Sequence, residues 1–191
     1  MSLYKTILTR RSIRQFKPEA VSREILKKIV NSARLAPSGA NLQPLEYIVV
    51  DEEGPRKQVF PCLRWAAYIV PEGNPKPGHE PVAYIVVLVN SRVRDKEYER
   101  DVGAAVENMI LTAWEEGVGS CWIASAERNK IQKILNIPID YKIDSVLAVG
   151  YPDEEPLVED KKDSIKYWKD KKGRLHVPKR KLRDILHYNG F

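Results

Sequence analysis

The sequence predicts a mixed domain of helices and strands, α+β or α/β in class, and three observations carry that prediction. Asp101 to Glu116 places Val102, Ala105, Val106, Met109, Ile110 and Ala113 at the three- and four-residue spacing of a buried helix, with Gly117 as its stop. Ala83 to Val89 is an unbroken apolar run rich in β-branched residues, the composition of a buried strand. Segments dense in proline and glycine separate such runs, above all Pro71 to Gly78, where regular structure is ruled out and a loop or lid is expected.

Taken in order, the chain begins with a short helical pattern from Tyr4 to Leu8, then the basic cluster Arg10 to Arg14 and an extended stretch from Gln15 to Pro18. Ser22 reads as an N-cap with Glu24 in the first turn. Ile25, Leu26, Ile29, Val30 and Ala33 then repeat at helical spacing until Pro37-Ser38-Gly39 ends the helix. Tyr47 to Val50 is a buried strand, Ser120 to Ile123 a short strand or turn, Glu127 to Leu135 a helix and Ser145 to Gly150 another strand. After Pro152 the chain is strongly polar as far as Val177, and Lys181 to Tyr188 reads as a closing helix. Neither an internal repeat nor a linker divides the 191 residues, so one domain over 1–191 is expected.

Composition narrows the function. No apolar run approaches the roughly 18 residues of a membrane span, and the polar, basic N-terminal stretch lacks a signal-peptide core, so a cytoplasmic protein without membrane partners is expected. The two cysteines, Cys62 and Cys121, form neither a disulfide framework nor a zinc spacing, and no metal site is expected. The net charge of +6 is spread among 26 acidic residues, which fits an anionic small ligand as well as nucleic acid. There is no GxGxxG sequence and no P-loop, so a Rossmann or nucleotide-hydrolase reading has no motif to stand on.

Two constellations can carry chemistry. In Arg10-Arg11-Ser12-Ile13-Arg14, guanidinium forks and a hydroxyl converge, and an extended backbone would put Arg10, Ser12 and Arg14 on one face, a donor set suited to phosphate. On charge alone the same cluster reads as a solvated basic turn. In Pro37-Ser38-Gly39-Ala40-Asn41-Leu42-Gln43-Pro44, Gly39 permits close backbone approach, and Ser38, Asn41 and Gln43 offer neutral hydrogen-bonding groups suited to the edge of a heterocycle. Taken alone this segment is a turn.

Together, and in this order, the two segments resemble the nitroreductase family, whose chains open with Arg-Arg-Ser-x-Arg-x-Phe and continue through a helix to Ala-Pro-Ser-Gly-x-Asn-x-Gln-Pro, as Arg10 to Phe16 and Ala36 to Pro44 do. The likeness continues through Glu107 to Ala113, Gly117 to Trp122, Ala148 to Pro152 and the closing Lys179 to Leu182. The resemblance implies an α+β fold, a mostly antiparallel central sheet flanked by helices, in an intertwined homodimer with FMN at the interface. It also implies two-electron transfer from NADH or NADPH to a small acceptor, such as a nitroaromatic or quinone, by a ping-pong mechanism. Carried over by residue, Arg10, Arg11, Ser12 and Arg14 hold the phosphate and ribityl chain, and Pro37, Ser38, Gly39 and Asn41 lie along the ring system. Trp122, Ile123 and Ala124 supply main-chain contacts near its reactive edge, and Lys179 or Arg180 returns to the phosphate. The flavin carries the chemistry, so no catalytic side chain is required, and none is visible. Rival expectations are a flavoenzyme of this fold with dehalogenase or flavin-destructase activity, a flavin-binding protein without turnover, and a basic nucleic-acid module.

The remaining candidates have plainer readings. His79, His176 and His187 are scattered, and Cys121 reads as a buried small hydrophobe. Trp65 and Tyr68, before the Pro71 loop, could face a substrate or pack in the core. The charged stretch from Glu159 to Arg174, with Tyr167 and Trp168, could cover the site, wrap a partner subunit, or simply be solvated.

Overall fold

In a computed structural model, which describes residues 2–191, strands β1 (Leu45–Val50), β2 (Ala83–Asn90), β3 (Gly119–Ile123) and β4 (Tyr141–Gly150) form one sheet. Their order is β1-β2-β4-β3 and every neighbouring pair is antiparallel. The seven residues Ala83 to Val89 are buried on both sides of β2, which is why that strand reads as a continuous apolar run instead of an alternation. Ile85, Val87 and Val89 face helices α2 (Arg23–Arg34) and α4 (Glu99–Glu115). Tyr84, Val86 and Leu88 face the opposite core, with Val59 of α3 (Glu53–Val59) and Ile131 of α5 (Arg128–Ile134). A sheet covered by helices on both faces thus holds two apolar cores, and the α+β expectation is met.

Local chemistry sets the helix ends. The Ser22 hydroxyl accepts a hydrogen bond from the Ile25 N–H at 3.3 Å and starts α2, and α1 (Leu3–Thr9) is capped by Ser2 in the same way. At the end of α4, Gly117 adopts φ +74°, the left-handed turn that lets the chain drop from helix into β3.

One expectation is corrected and two segments gain elements that the sequence did not show. Lys181 to Tyr188 is not a helix; only a 3₁₀ turn forms, over Leu182–Asp184. Leu182, Ile185, Leu186 and Tyr188 do recur at helical spacing, but all are exposed, so no packed face offsets the cost of nucleation. The polar stretch after Pro152 holds a second sheet, β5 (Leu157–Asp160), β7 (Leu175–Lys179) and β6 (Trp168–Lys169), in that spatial order, with β5 parallel and β6 antiparallel to β7. The segment Glu53–Cys62, for which no element is evident in the sequence, forms α3 and a 3₁₀ turn.

Candidate functional site

The basic segment is seated by its apolar members. Beyond α1 the chain runs along the outer edge of the main sheet, where the Ile13 N–H donates to the Ser120 carbonyl at 2.9 Å and Ser12 bridges Ser120 in parallel register. Ile13 and Phe16 are both wholly buried. They plug into places where β3 and β4 carry glycine: a Cβ on Gly119 would stand 2.7 Å from Ile13 Cγ1, and one on Gly150 would stand 2.9 Å from Phe16 Cδ1. Gly119 and Gly150 face each other in the strand register, so the seat is built from paired small residues on two neighbouring strands. With Ile13 and Gln15 turned inward, Arg10, Ser12 and Arg14 are left part-exposed, as an extended segment requires.

The three guanidinium groups then diverge. Arg10 Nε lies 4.0 Å from Glu107 on α4. Arg11 folds back on the end of α1, its Nη1 donating to the carbonyls of Leu8 and Arg10 at 2.8 and 2.6 Å; burial and the neighbouring Arg10 charge pull its pKa below the usual arginine value. Arg14 lies over the ring of Tyr167, 5.5 Å from its centroid. The Nε atoms of Arg11 and Arg14 are buried without a hydrogen-bond partner, a costly condition that a ligand oxygen would relieve. Glu154 receives the backbone N–H groups of both Arg14 and Gln15. The Gln15 side chain donates to the Asn74 carbonyl at 2.9 Å and accepts from the Lys76 N–H at 3.1 Å, tying the segment to the Pro71 loop.

The loop after α2 is organised by one buried acid. Asp101, only 6% exposed, accepts from the Ser38 hydroxyl at 2.6 Å and from the Gly39 N–H at 3.1 Å; Ser38 Oγ in turn accepts from the Gln43 N–H at 2.9 Å. Around this knot Ala40, Asn41 and Gln43 take φ of 51°, 55° and 52°, left-handed non-glycine residues of the kind that gathers at functional sites, with Leu42 between them right-handed at φ −71°. Pro37, Ser38 and Gln43 line a cavity of about 390 Å³ with Asp101, Tyr47 and Arg34. Asp101, which organises this candidate loop, is a residue the sequence reading passed over. Its signal was present, since it precedes Ala105 and Met109 by one and two helical turns and so falls on the buried face of α4.

Helix α4 is therefore the common mount, holding the loop at Asp101 and the basic segment at Glu107. The two constellations stand at different places along it, and the cavity lined by Pro37, Ser38 and Gln43 does not include Arg10 to Arg14. Trp122 on β3 is 42% exposed, its indole N–H donating to Ser145 Oγ at 2.7 Å; Ile123 is buried, and the Ala124 carbonyl accepts from Arg128. Lys179 and Arg180 are exposed at the end of the small sheet, where Arg180 bonds the Asp184 carbonyl, and no hydrogen bond or ion pair joins them to Arg10–Arg14 among the described residues.

The two aromatic candidates separate. Trp65 is 6% exposed and packs in the core beside Phe60, the second of the two readings its sequence context allows. Tyr68 is 53% exposed and pairs with Tyr167. Cys62 and Cys121 are buried free thiols whose pKa values burial pushes up, poor nucleophiles both. No cluster able to hold a metal ion occurs among the described residues, and no helix there is long and apolar enough to cross a membrane.

Comparison with known proteins gives this geometry a context. Residues 7–151 match the model of the nitroreductase family. A protein of Archaeoglobus fulgidus, carried under the provisional name NADH dehydrogenase/NAD(P)H nitroreductase, is 32% identical over 79% of this chain and 86% of its own length. An iodotyrosine deiodinase of Thermotoga neapolitana is 27% identical over 80% of this chain and 89% of its own. Among solved structures, an FMN-dependent nitroreductase from Clostridium difficile superimposes with a TM-score of 0.70 at 25% identity, covering 97% of this chain and 98% of that one.

Proposed function

Because this chain belongs to the nitroreductase family, we propose that it is an FMN-dependent oxidoreductase transferring two electrons from NADH or NADPH to a small acceptor, a nitroaromatic or a quinone. The observation that carries this reading is the basic segment: three arginines and a serine on an immobilised edge, with two buried guanidinium nitrogens lacking a partner. That donor set suits a phosphate, and among the described residues no ion pair joins the guanidinium of Arg11 or of Arg14 to a carboxylate, although Glu154 accepts from the Arg14 backbone N–H. In this reading Arg10, Arg11, Ser12 and Arg14 hold the phosphate and ribityl chain. Pro37, Ser38, Gly39 and Asn41 border the ring system, Trp122, Ile123 and Ala124 present backbone near its edge, and Lys179 and Arg180 close from the C-terminal side. A bound flavin supplies the redox chemistry; the protein's work is to bind, orient and exclude water.

A homodimer fits this placement. The loop and the basic segment occupy separate stations on α4, so two copies can complete each site where one does not. Apolar residues stand exposed along α1 (Leu3, Tyr4, Ile7, Leu8) and in the tail (Leu182, Ile185, Leu186), the surface a partner subunit would cover. Reductive dehalogenation is the second reading of the same site, favoured by the likeness to the iodotyrosine deiodinase.

The purified protein should be yellow, with about one flavin per chain, and anaerobic NADH or NADPH should bleach it. A colourless protein that takes up no added FMN would sink the proposal, and an unbleached flavin would make it a binding protein. Offering the reduced protein nitroaromatic, quinone and iodophenol acceptors then separates the two readings of its reaction.

A further inference from the structure

Tyr167 lies in the charged stretch beyond Pro152, outside residues 7–151 that match the family model. Its ring nonetheless faces the guanidinium of Arg14, whose central carbon is 5.5 Å from the ring centroid. Tyr68 packs on the same ring, centroids 4.9 Å apart and planes tilted by 51°, and the Lys166 ammonium lies 5.7 Å from the Tyr68 centroid. Arg14, Tyr167, Tyr68 and Lys166 thus form a chain of contacts in which two rings are flanked by cations, each attracted by the negative face of a ring.

Both central partners are held from outside the contact. The backbone at Arg14 is fixed by the Glu154 carboxylate and the Gln15 bridge to the Pro71 loop, which leaves only its side chain to be placed. Tyr167 immediately precedes β6, which is pinned to β7 through Trp168 opposite His176 and Lys169 opposite Leu175. The Trp168 indole stacks on His176 at 4.2 Å and donates to Glu159 at 2.9 Å, while the Lys169 ammonium donates to the Glu72 carbonyl at 2.6 Å. On the other side the Tyr167 hydroxyl accepts from the Tyr68 N–H at 3.4 Å. The ring is thus held from both sides.

An aromatic wall holds a guanidinium in a way a carboxylate cannot. A carboxylate would occupy the fork of N–H donors and cancel the charge, whereas a ring face attracts the cation and leaves its in-plane donors for a ligand. Arg14 Nε, buried and without a partner, is in that condition. We propose that Tyr167 is a positioning residue that holds the Arg14 guanidinium ready for an oxygen of the flavin, with Tyr68 and Lys166 backing it; the proposal rests on the reading of Arg14 as part of the flavin anchor. A side chain fixed before binding loses less freedom on binding, and the gain appears as affinity.

The test is titration of FMN into the flavin-stripped full-length protein, followed by quenching of flavin fluorescence, for the wild type, R14A, Y167L, Y167F, Y68A and R14A/Y167L. Y167L should weaken binding about 3- to 30-fold, the range of a partly desolvated cation–ring contact. Y167F keeps the ring and should stay within about 2-fold of wild type, since only the long hydroxyl contact is lost. In the R14A background Y167L should add nothing. R14A without effect defeats the anchor reading itself. R14A weakened but Y167L unchanged overturns the positioning role alone, as does a Y167L loss of equal size with and without Arg14. Should Y167L fail to fold, Y68A answers in its place: it should weaken binding by up to about 3-fold with Arg14 present, and an unchanged affinity overturns the chain of contacts.

Discussion

The two sheets of this protein are held together by different physics. In the four-stranded sheet, β2 and the end of β4 are buried on both faces between two apolar cores, and the candidate site residues hang from its edge and from α4. In the three-stranded sheet only Leu175 is buried; the register is kept by a stacked Trp168–His176 pair and by His176 lying between Glu159 at 3.0 Å and Asp170 at 3.4 Å. The first resists because removing apolar surface from water is nearly independent of pH. The second depends on the charge of a few side chains, and it is the sheet that delivers Tyr167 to Arg14. A rigid scaffold thus carries the candidate anchor, and a weaker, titratable unit touches it.

The contrast can be broken at its strong end first. Leu147→Ala, at a wholly buried position in β4, should cost about 2–5 kcal/mol in urea unfolding. Leu157→Ala, at a position 38% exposed in β5, should cost under about 1 kcal/mol. Equal losses would erase the distinction. Next, Gly119→Val forces a side chain into the place of Ile13 and should cost about 1–3 kcal/mol while loosening retained flavin, because the basic segment loses its seat. Flavin retained at wild-type levels would show that the seat does not set the site. Asp101→Ala leaves the Ser38 hydroxyl and the Gly39 N–H without their acceptor and should cost about 1–3 kcal/mol, read by thermal melts and by loss of protection at the Gly39 amide.

The last and smallest effect probes the weak sheet by acid. The Arg174 backbone N–H, with His176 and Arg174 side chains behind it, holds the Asp170 carboxyl down to about 2. A depressed acid stabilises the folded form above its ordinary value of 3.8, and that contribution disappears as pH falls toward about 2. In that window the Trp168 indole resonance should shift as the turn before β7 opens, and Asp170→Asn should flatten the pH dependence. An Asp170→Asn protein with an unaltered titration would place the acid response elsewhere.

Much of the main sheet and its helices was legible because each signal is local. The Ser22 cap, the period of α4, the β-branched run of β2 and the stop at Gly117 each follow from neighbours a few residues apart. The small sheet was not legible: β6 is two residues long, and its strands lie in a charged stretch with no alternation, paired through ring stacking and hydrogen bonds between distant residues. The tail misled for the opposite reason, since Leu182, Ile185 and Leu186 have helical spacing with no core of their own chain to meet.

The candidate site divides along the same line. Sequence by itself determined which groups are available, a cluster of arginines with a serine and a glycine-containing polar loop, because donor chemistry is a property of residue type. Only the tertiary structure decided how they are held. Asp101 reaches Ser38 across 63 positions of chain, paired glycines on two strands admit Ile13 and Phe16, and Tyr167 meets Arg14 from the far end of the sequence. Such contacts depend on which surfaces the packed sheet brings together, and no local pattern encodes them.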